Sequence, residues 1–65
     1  MVNYTVEVMR DGKAIRRTEV QGSEADAAKV WGPVTDGLGR EPTSGEIIRV
    51  THIASGRTSW FRLGG

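Results

Sequence analysis

The chain predicts an α+β domain of order β-β-α-β-β, a four-stranded sheet with one helix packed on one face. Three observations predict it. β-branched residues dominate, with seven Val, four Ile and six Thr against two Leu, a bias toward strands. Two segments, one near each end of the chain, alternate apolar and polar residues around a glycine-containing turn. Between them lies an Ala-rich stretch opened by Ser23, with apolar residues at helical spacing.

The first strand is set by Val2, Tyr4, Val6 and Val8, alternating with Asn3, Thr5 and Glu7, the period of a strand with one buried face. Asp11-Gly12 marks a tight hairpin turn, and the second strand runs from about Lys13 to Gln21. A two-residue loop would pair Val8 with Ile15 and drive Arg17 and Glu19 under Val6 and Tyr4. A three-residue loop with Gly12 left-handed pairs Val8 with Ala14 and Val2 with Val20. It sets Thr18 opposite Tyr4, leaving only Arg16 to reach out from under Val6. A one-residue slip exchanges the two faces, so the apolar match selects the three-residue loop.

Ser23 suits the N-cap of a helix, and Glu24 and Asp26 suit the positive end of its dipole. Ala27, Trp31, Val34 and Leu38 fall at spacings of four, three and four, one stripe of a helix. Gly32-Pro33 interrupts the stripe, because an interior proline loses a backbone bond and clashes with the preceding turn. The helix either kinks there or stops at Trp31, with Pro33 opening a second short turn. Gly39 is a natural stop. Residues 40–45 form a loop, and Glu46–Ile53 and Thr58–Leu63 make a second hairpin around Ser55-Gly56. With a two-residue turn, Ile48 meets Leu63 and Val50 meets Phe61. The other face then carries Arg49/Arg62, Thr51/Trp60 and Ile53/Thr58. The helix must cover one face of this sheet.

The 65 residues predict a single domain spanning 1–65, since separate cores need about 50 residues each. Charged residues at 26% and hydrophobics at 37% place the chain among folded rather than disordered proteins. With no cysteine, disulfides and Cys-based metal or redox sites are excluded. No apolar run approaches a membrane span, and Met1-Val2-Asn3-Tyr4 lacks the features of a signal peptide, so a cytoplasmic location is expected. The Asn3-Tyr4-Thr5 sequon is read as chance for the same reason. Nine Lys and Arg against eight Asp and Glu leave too little net charge for a dedicated nucleic-acid protein.

Catalytic and metal chemistry have little material, and neither an enzyme nor a cofactor is expected. His52 is the only histidine, which excludes a multi-His metal site. Nothing in the spacing brings Ser59, His52 and Asp11 together as a triad. Gly37-Leu38-Gly39 and Thr43-Ser44-Gly45 follow a helix instead of joining a strand to one, and no Lys-Ser/Thr step accompanies them, so a phosphate cradle is not expected. The second hairpin gathers Arg49, Arg62 and Trp60 on one face with Arg57 at its turn. An arginine-and-aromatic face of this kind can stack bases or receive a protein. A third expectation is self-association through the exposed edge of the second strand.

The chain ends Arg62-Leu63-Gly64-Gly65. A Gly-Gly end is slim enough to enter a narrow channel and present a carboxylate. Hairpin, helix, hairpin and Gly-Gly together resemble the β-grasp of ubiquitin-like proteins. Asp11-Gly12-Lys13 sits where that family has a Gly-Lys turn. Glu19-Val20-Gln21-Gly22-Ser23-Glu24, continued by Lys29-Val30, is similar to ubiquitin's own strand-to-helix junction. Length and tail also resemble the small bacterial sulfur-carrier proteins of thiamin and molybdopterin synthesis. The resemblance implies a sheet whose first and last strands lie side by side and parallel in the centre. It also implies a non-enzymatic carrier or modifier, with Gly65 as the activated carboxylate, Gly64 as its flexible approach and an adenylating enzyme as partner. The alternative is a nucleic-acid- or protein-binding module using Arg49, Arg57, Trp60 and Arg62.

Overall fold

The bias toward β-branched residues is expressed over more of the chain than the hairpins alone. The computed structural model describes residues 3–42 and 45–64. Met1, Val2, Thr43, Ser44 and Gly65 lie outside them, and with them part of the segment considered as a phosphate cradle; the expected Val2–Val20 pair is replaced by Tyr4–Val20. The elements are β1 (Asn3–Arg10), β2 (Lys13–Gln21), α1 (Glu24–Ala28), β3 (Val34–Leu38), β4 (Glu46–His52) and β5 (Thr58–Leu63). They form one five-stranded sheet of order β2-β1-β4-β5-β3. The class is therefore mainly β, in place of the expected α+β with four strands.

The additional strand comes from the stretch read as helix. Ser23 caps α1 as expected, its Oγ accepting the Asp26 N–H at 3.1 Å. The helix then ends at Ala28, and Lys29, Val30 and Gly32 close tight turns through N–H bonds to Asp26, Ala27 and Lys29 carbonyls. Gly32 takes φ 130°, a conformation no helix continues through, and Pro33 follows without a backbone donor. Val34-Thr35 beyond this break then take the extended form that β-branched residues favour. The spacing of Val34 and Leu38 mimicked a helical stripe, but they belong to β3, which pairs with β5 through Val34↔Leu63 and Leu38↔Trp60.

Both hairpins keep the expected faces but change register. Asp11 and Gly12 take φ 49° and 85°, the positive pair of a two-residue turn, so Arg10 meets Lys13 and Met9 meets Ala14. The ladder then shifts between Val8 and Met9, and beyond the shift Val8 meets Arg16, Val6 meets Thr18 and Tyr4 meets Val20. A bulge at Ile15 inside the strand thus does what a left-handed Gly12 in a three-residue loop was expected to do. It returns Thr18 and Val20 to the apolar face. In the second hairpin the turn is longer than two residues. His52 and Arg57 close it, the His52 N–H reaching the Arg57 carbonyl at 2.8 Å. Ile48 consequently meets Phe61, Val50 meets Ser59, Arg49 meets Trp60 and Thr51 meets Thr58.

β1 is flanked by β2 and β4, antiparallel to both, while β5 lies beyond β4. The parallel central pair of first and last strands that a β-grasp requires is absent from the described residues. The expected β-grasp-like architecture is corrected on this point of topology. At the centre, Val6 meets Val50 and Val8 meets Ile48. These four join Ala27 and Ala28 of α1 in one core cluster, with Tyr4, Val20, Trp31, Val34, Phe61 and Leu63 packed around it. So α1 covers β1 and β4, as a helix on one face was expected to do, but with a single short segment.

The opposite face is also covered at one end: Met9 and Ile47, paired across the strands, are 5% and 2% exposed. β3 and β4 both run antiparallel to β5, so the chain leaving Leu38 must return across β5 to reach Glu46. Glu41 on this return stands 3.9 Å from Arg49, which lies on the face away from α1. The connection is tied down where Gly45 N–H donates to Asp11 Oδ1 at 3.0 Å and Asp11 N–H to the Gly45 carbonyl at 3.2 Å.

Ile48 is fully buried on the strand that joins both hairpins. Ile48→Ala is expected to cost about 2–5 kcal/mol, comparable with the roughly 3–5 kcal/mol a core of this size supplies. Urea titration followed by tryptophan fluorescence should find that variant largely unfolded without denaturant, and Ile48→Val only about 0.5–1.5 kcal/mol weaker than the parent. Equal midpoints for the parent and Ile48→Ala would contradict this core.

Candidate functional site

A strand side chain is exposed only where neither a neighbouring strand nor a crossing segment covers it, and this decides which candidates are free to bind. Arg49 is not. It faces Glu7 across the β1–β4 ladder, and its Nε and Nη2 both donate to Glu7 Oε1, at 3.0 and 2.7 Å. The Glu7 side chain is 14% exposed and that of Arg49 30%, so the pair is substantially desolvated and its charge is spent internally. Glu41 adds a second carboxylate from the crossing connection.

Trp60 of β5 faces Arg49 on β4 and Leu38 on β3. It is half-buried, and its indole N–H is enclosed without a hydrogen-bond partner. Arg57 and Arg62 lie at opposite ends of β5. Arg57 borders a cleft of about 310 Å³ with Tyr4, Glu24 and His52. Arg62 borders an open groove of about 650 Å³ with Arg10, Asp11 and Gly64. Arg49, Trp60 and Arg62 thus share the face away from α1, with Arg49 already held by Glu7, while Arg57 lies apart beside Tyr4 and Glu24.

The Gly-Gly end is placed only as far as Gly64, since Gly65 lies outside the described residues. Gly64 donates its N–H to the Pro33 carbonyl at 3.0 Å, continuing the β5–β3 contact past Leu63. A Cβ there would lie 3.5 Å from the Thr35 methyl group. Gly64 is thus held against the edge strand.

His52 sits at the end of β4 opposite Tyr4, with ring centroids 5.4 Å apart. Its Nδ1 is 2.6 Å from Ser55 Oγ, and the same oxygen accepts the Arg57 N–H. Both contacts fasten the β4–β5 turn. Asp11 lies at the other end of the sheet beside Gly45, and Ser59 faces Val50, so no Ser–His–Asp set forms. Gly37 and Leu38 belong to β3. No group of three or more potential metal ligands occurs among the described residues, and no helix there is long and apolar enough to cross a membrane.

One feature stays unoccupied. Among the described residues, β2 has a neighbour on one side only. It runs nine residues and exposes seven of their side chains. Lys13, Arg16, Arg17 and Glu19 all point to solvent, and none of them makes an ion pair among the described residues. The edge and its length, Lys13 to Gln21, were visible in the sequence as the second strand of a hairpin; its register after the bulge was not. Comparison of the chain with protein-family models, curated proteins and solved structures gives no match.

The Glu7–Arg49 pair gives a quantitative test of where the charge is spent. Glu7→Gln and Arg49→Met should each destabilise the fold, while the double variant loses less than the sum of the two. A coupling of about 1–3 kcal/mol is expected, as for contacting, partly buried charges. Strictly additive losses in a denaturation cycle would mean that Arg49 is free for a ligand.

Proposed function

We propose that this chain is a small protein-binding domain that works by strand addition, taking an extended segment of a partner along the outer edge of β2. The observation that carries this reading is a nine-residue strand with one side of its backbone unpaired. Alternate N–H and C=O groups along such an edge point outward and hydrogen-bond any extended chain laid beside them. Specificity would come from the side chains flanking the ladder. Arg16 and Arg17 sit in its middle, so the reading favours a segment with carboxylates opposite them.

The other edge supports the choice by contrast. β3 is five residues long, follows Pro33, and has its ladder to β5 interrupted between Val34 and Gly37. Short, irregular edges next to proline are poor templates for pairing. The activated-carboxylate role implied by the ubiquitin-like resemblance draws no support from the anchored Gly64. Nor does base stacking draw support from a half-buried Trp60 and an ion-paired Arg49.

A library of random nine-residue peptides, screened against the immobilised chain and followed by amide NMR, tests the reading. Selected peptides should be enriched in β-formers and in Asp or Glu, and should slow exchange at alternate amides of β2. Selection of peptides that perturb β5 around Trp60 instead, or of none, would overturn it.

A further inference from the structure

The charge pattern along β2 identifies a partner for that edge, an inference resting on the strand-addition reading above. The strand is electrically lopsided. Lys13, Arg16 and Arg17 occupy its beginning, Glu19 follows, and Glu24 and Asp26 stand just beyond its end at the start of α1. A chain that is basic at one end and acidic at the other complements its own antiparallel image.

The bulge at Ile15 leaves the stretch from Arg16 onward as regular ladder. In a two-fold antiparallel pairing one residue faces its own copy, and residues equally far on either side of it face each other. Centring on Arg16, Arg17 or Glu19 sets like charges directly opposed, which is unfavourable. Centring on Thr18 opposes two threonines instead. That register places Arg17 opposite Glu19 of the second copy twice, once on each side of the axis. It also lays the Arg16 stem beside Val20 of the second copy, which is half-buried. The Lys13 end then runs toward the Glu24–Asp26 end of the other copy.

We propose that two copies of this chain pair through β2 about Thr18, forming a continuous ten-stranded sheet held in register by reciprocal Arg17–Glu19 ion pairs. Arg17 and Glu19 are exposed in the single chain and lie outside the core; Arg17 also faces Glu7 across the β1–β2 ladder, so its reversal costs some stability within the chain, which the mixing experiment separates from lost pairing. Light scattering and sedimentation over a concentration series should show the mass rising toward twice that of the chain, with the rise weakened by salt. Arg17→Glu and Glu19→Arg should each weaken association by roughly tenfold or more, since two attractions become two repulsions.

Mixing the two single variants should restore pairing between unlike chains, and the double variant Arg17→Glu/Glu19→Arg should pair with itself. Restoration on mixing excludes a trivial folding defect. A constant monomer mass at millimolar concentration would overturn the proposal, as would a dimer indifferent to both sign reversals. If the chain stays monomeric while library peptides still protect the β2 amides, the self-pairing fails and the strand-addition reading stands. Failure of both removes the edge as a functional surface.

Discussion

The antiparallel contact between β1 and β4 is the constraint on which the rest of the sheet depends. Val6 against Val50 and Val8 against Ile48 put four buried β-branched residues under Ala27 and Ala28. Each contributes about 1.5–3 kcal/mol by leaving water. Once β4 lies beside β1, β5 can pair only on the far side of β4, and β3 only beyond β5. The final strand is thereby excluded from the central position it would hold in a β-grasp. β2, joined to β1 by a two-residue turn, is left as an edge.

Side-chain periodicity and local chemistry in the sequence were enough to find the hairpins, the Ser23 cap and the division of each strand into two faces. They could not select a register. The β4–β5 hairpin differs from expectation by two residues, and β2 reaches its final register through a bulge. Both adjustments preserve which residues are inside, because faces repeat every second residue. The hydrophobic pattern that argues for a face is blind to such shifts. β3 was hidden for a related reason. Trp31, Val34 and Leu38 satisfy helical spacing, yet a positive φ at Gly32 followed by proline divides them between a turn and a strand. One unused signal was the consecutive apolar pairs Val8-Met9 and Ile47-Ile48. Apolar neighbours on a strand point to opposite faces, so two such pairs, opposite one another, report a sheet covered on both sides at that end.

Arg49 is withdrawn from the candidate surface for an electrostatic reason. An arginine in the middle of a sheet is surrounded by cross-strand neighbours, and here one of them is Glu7. A guanidinium half out of water gains more from a carboxylate at 2.7 Å than from waiting for a ligand in solvent. Glu7 and Arg49 were each visible in the sequence, but their meeting depends on β1 lying next to β4, a tertiary fact. The shifted register sets Trp60, in place of Arg62, opposite Arg49 and leaves Arg62 two residues further along the same face.

Charges on an edge strand commonly keep other strands away, since a lysine or arginine there cannot be desolvated by an arbitrary neighbour. The bulge at Ile15 and the cation beside it serve β2 in that way near its turn. A purely protective edge would carry one sign along its length, because uniform charge repels every copy of itself in every register. β2 does not. Its sign changes between Arg17 and Glu19, with an uncharged threonine between, and the acidic trend continues into α1. Repulsion then survives in the registers centred on Arg16, Arg17 or Glu19 and vanishes in the one centred on Thr18. An edge of this kind discriminates by register: it stays closed to most extended chains and is open to those whose carboxylates and cations fall in the opposite order.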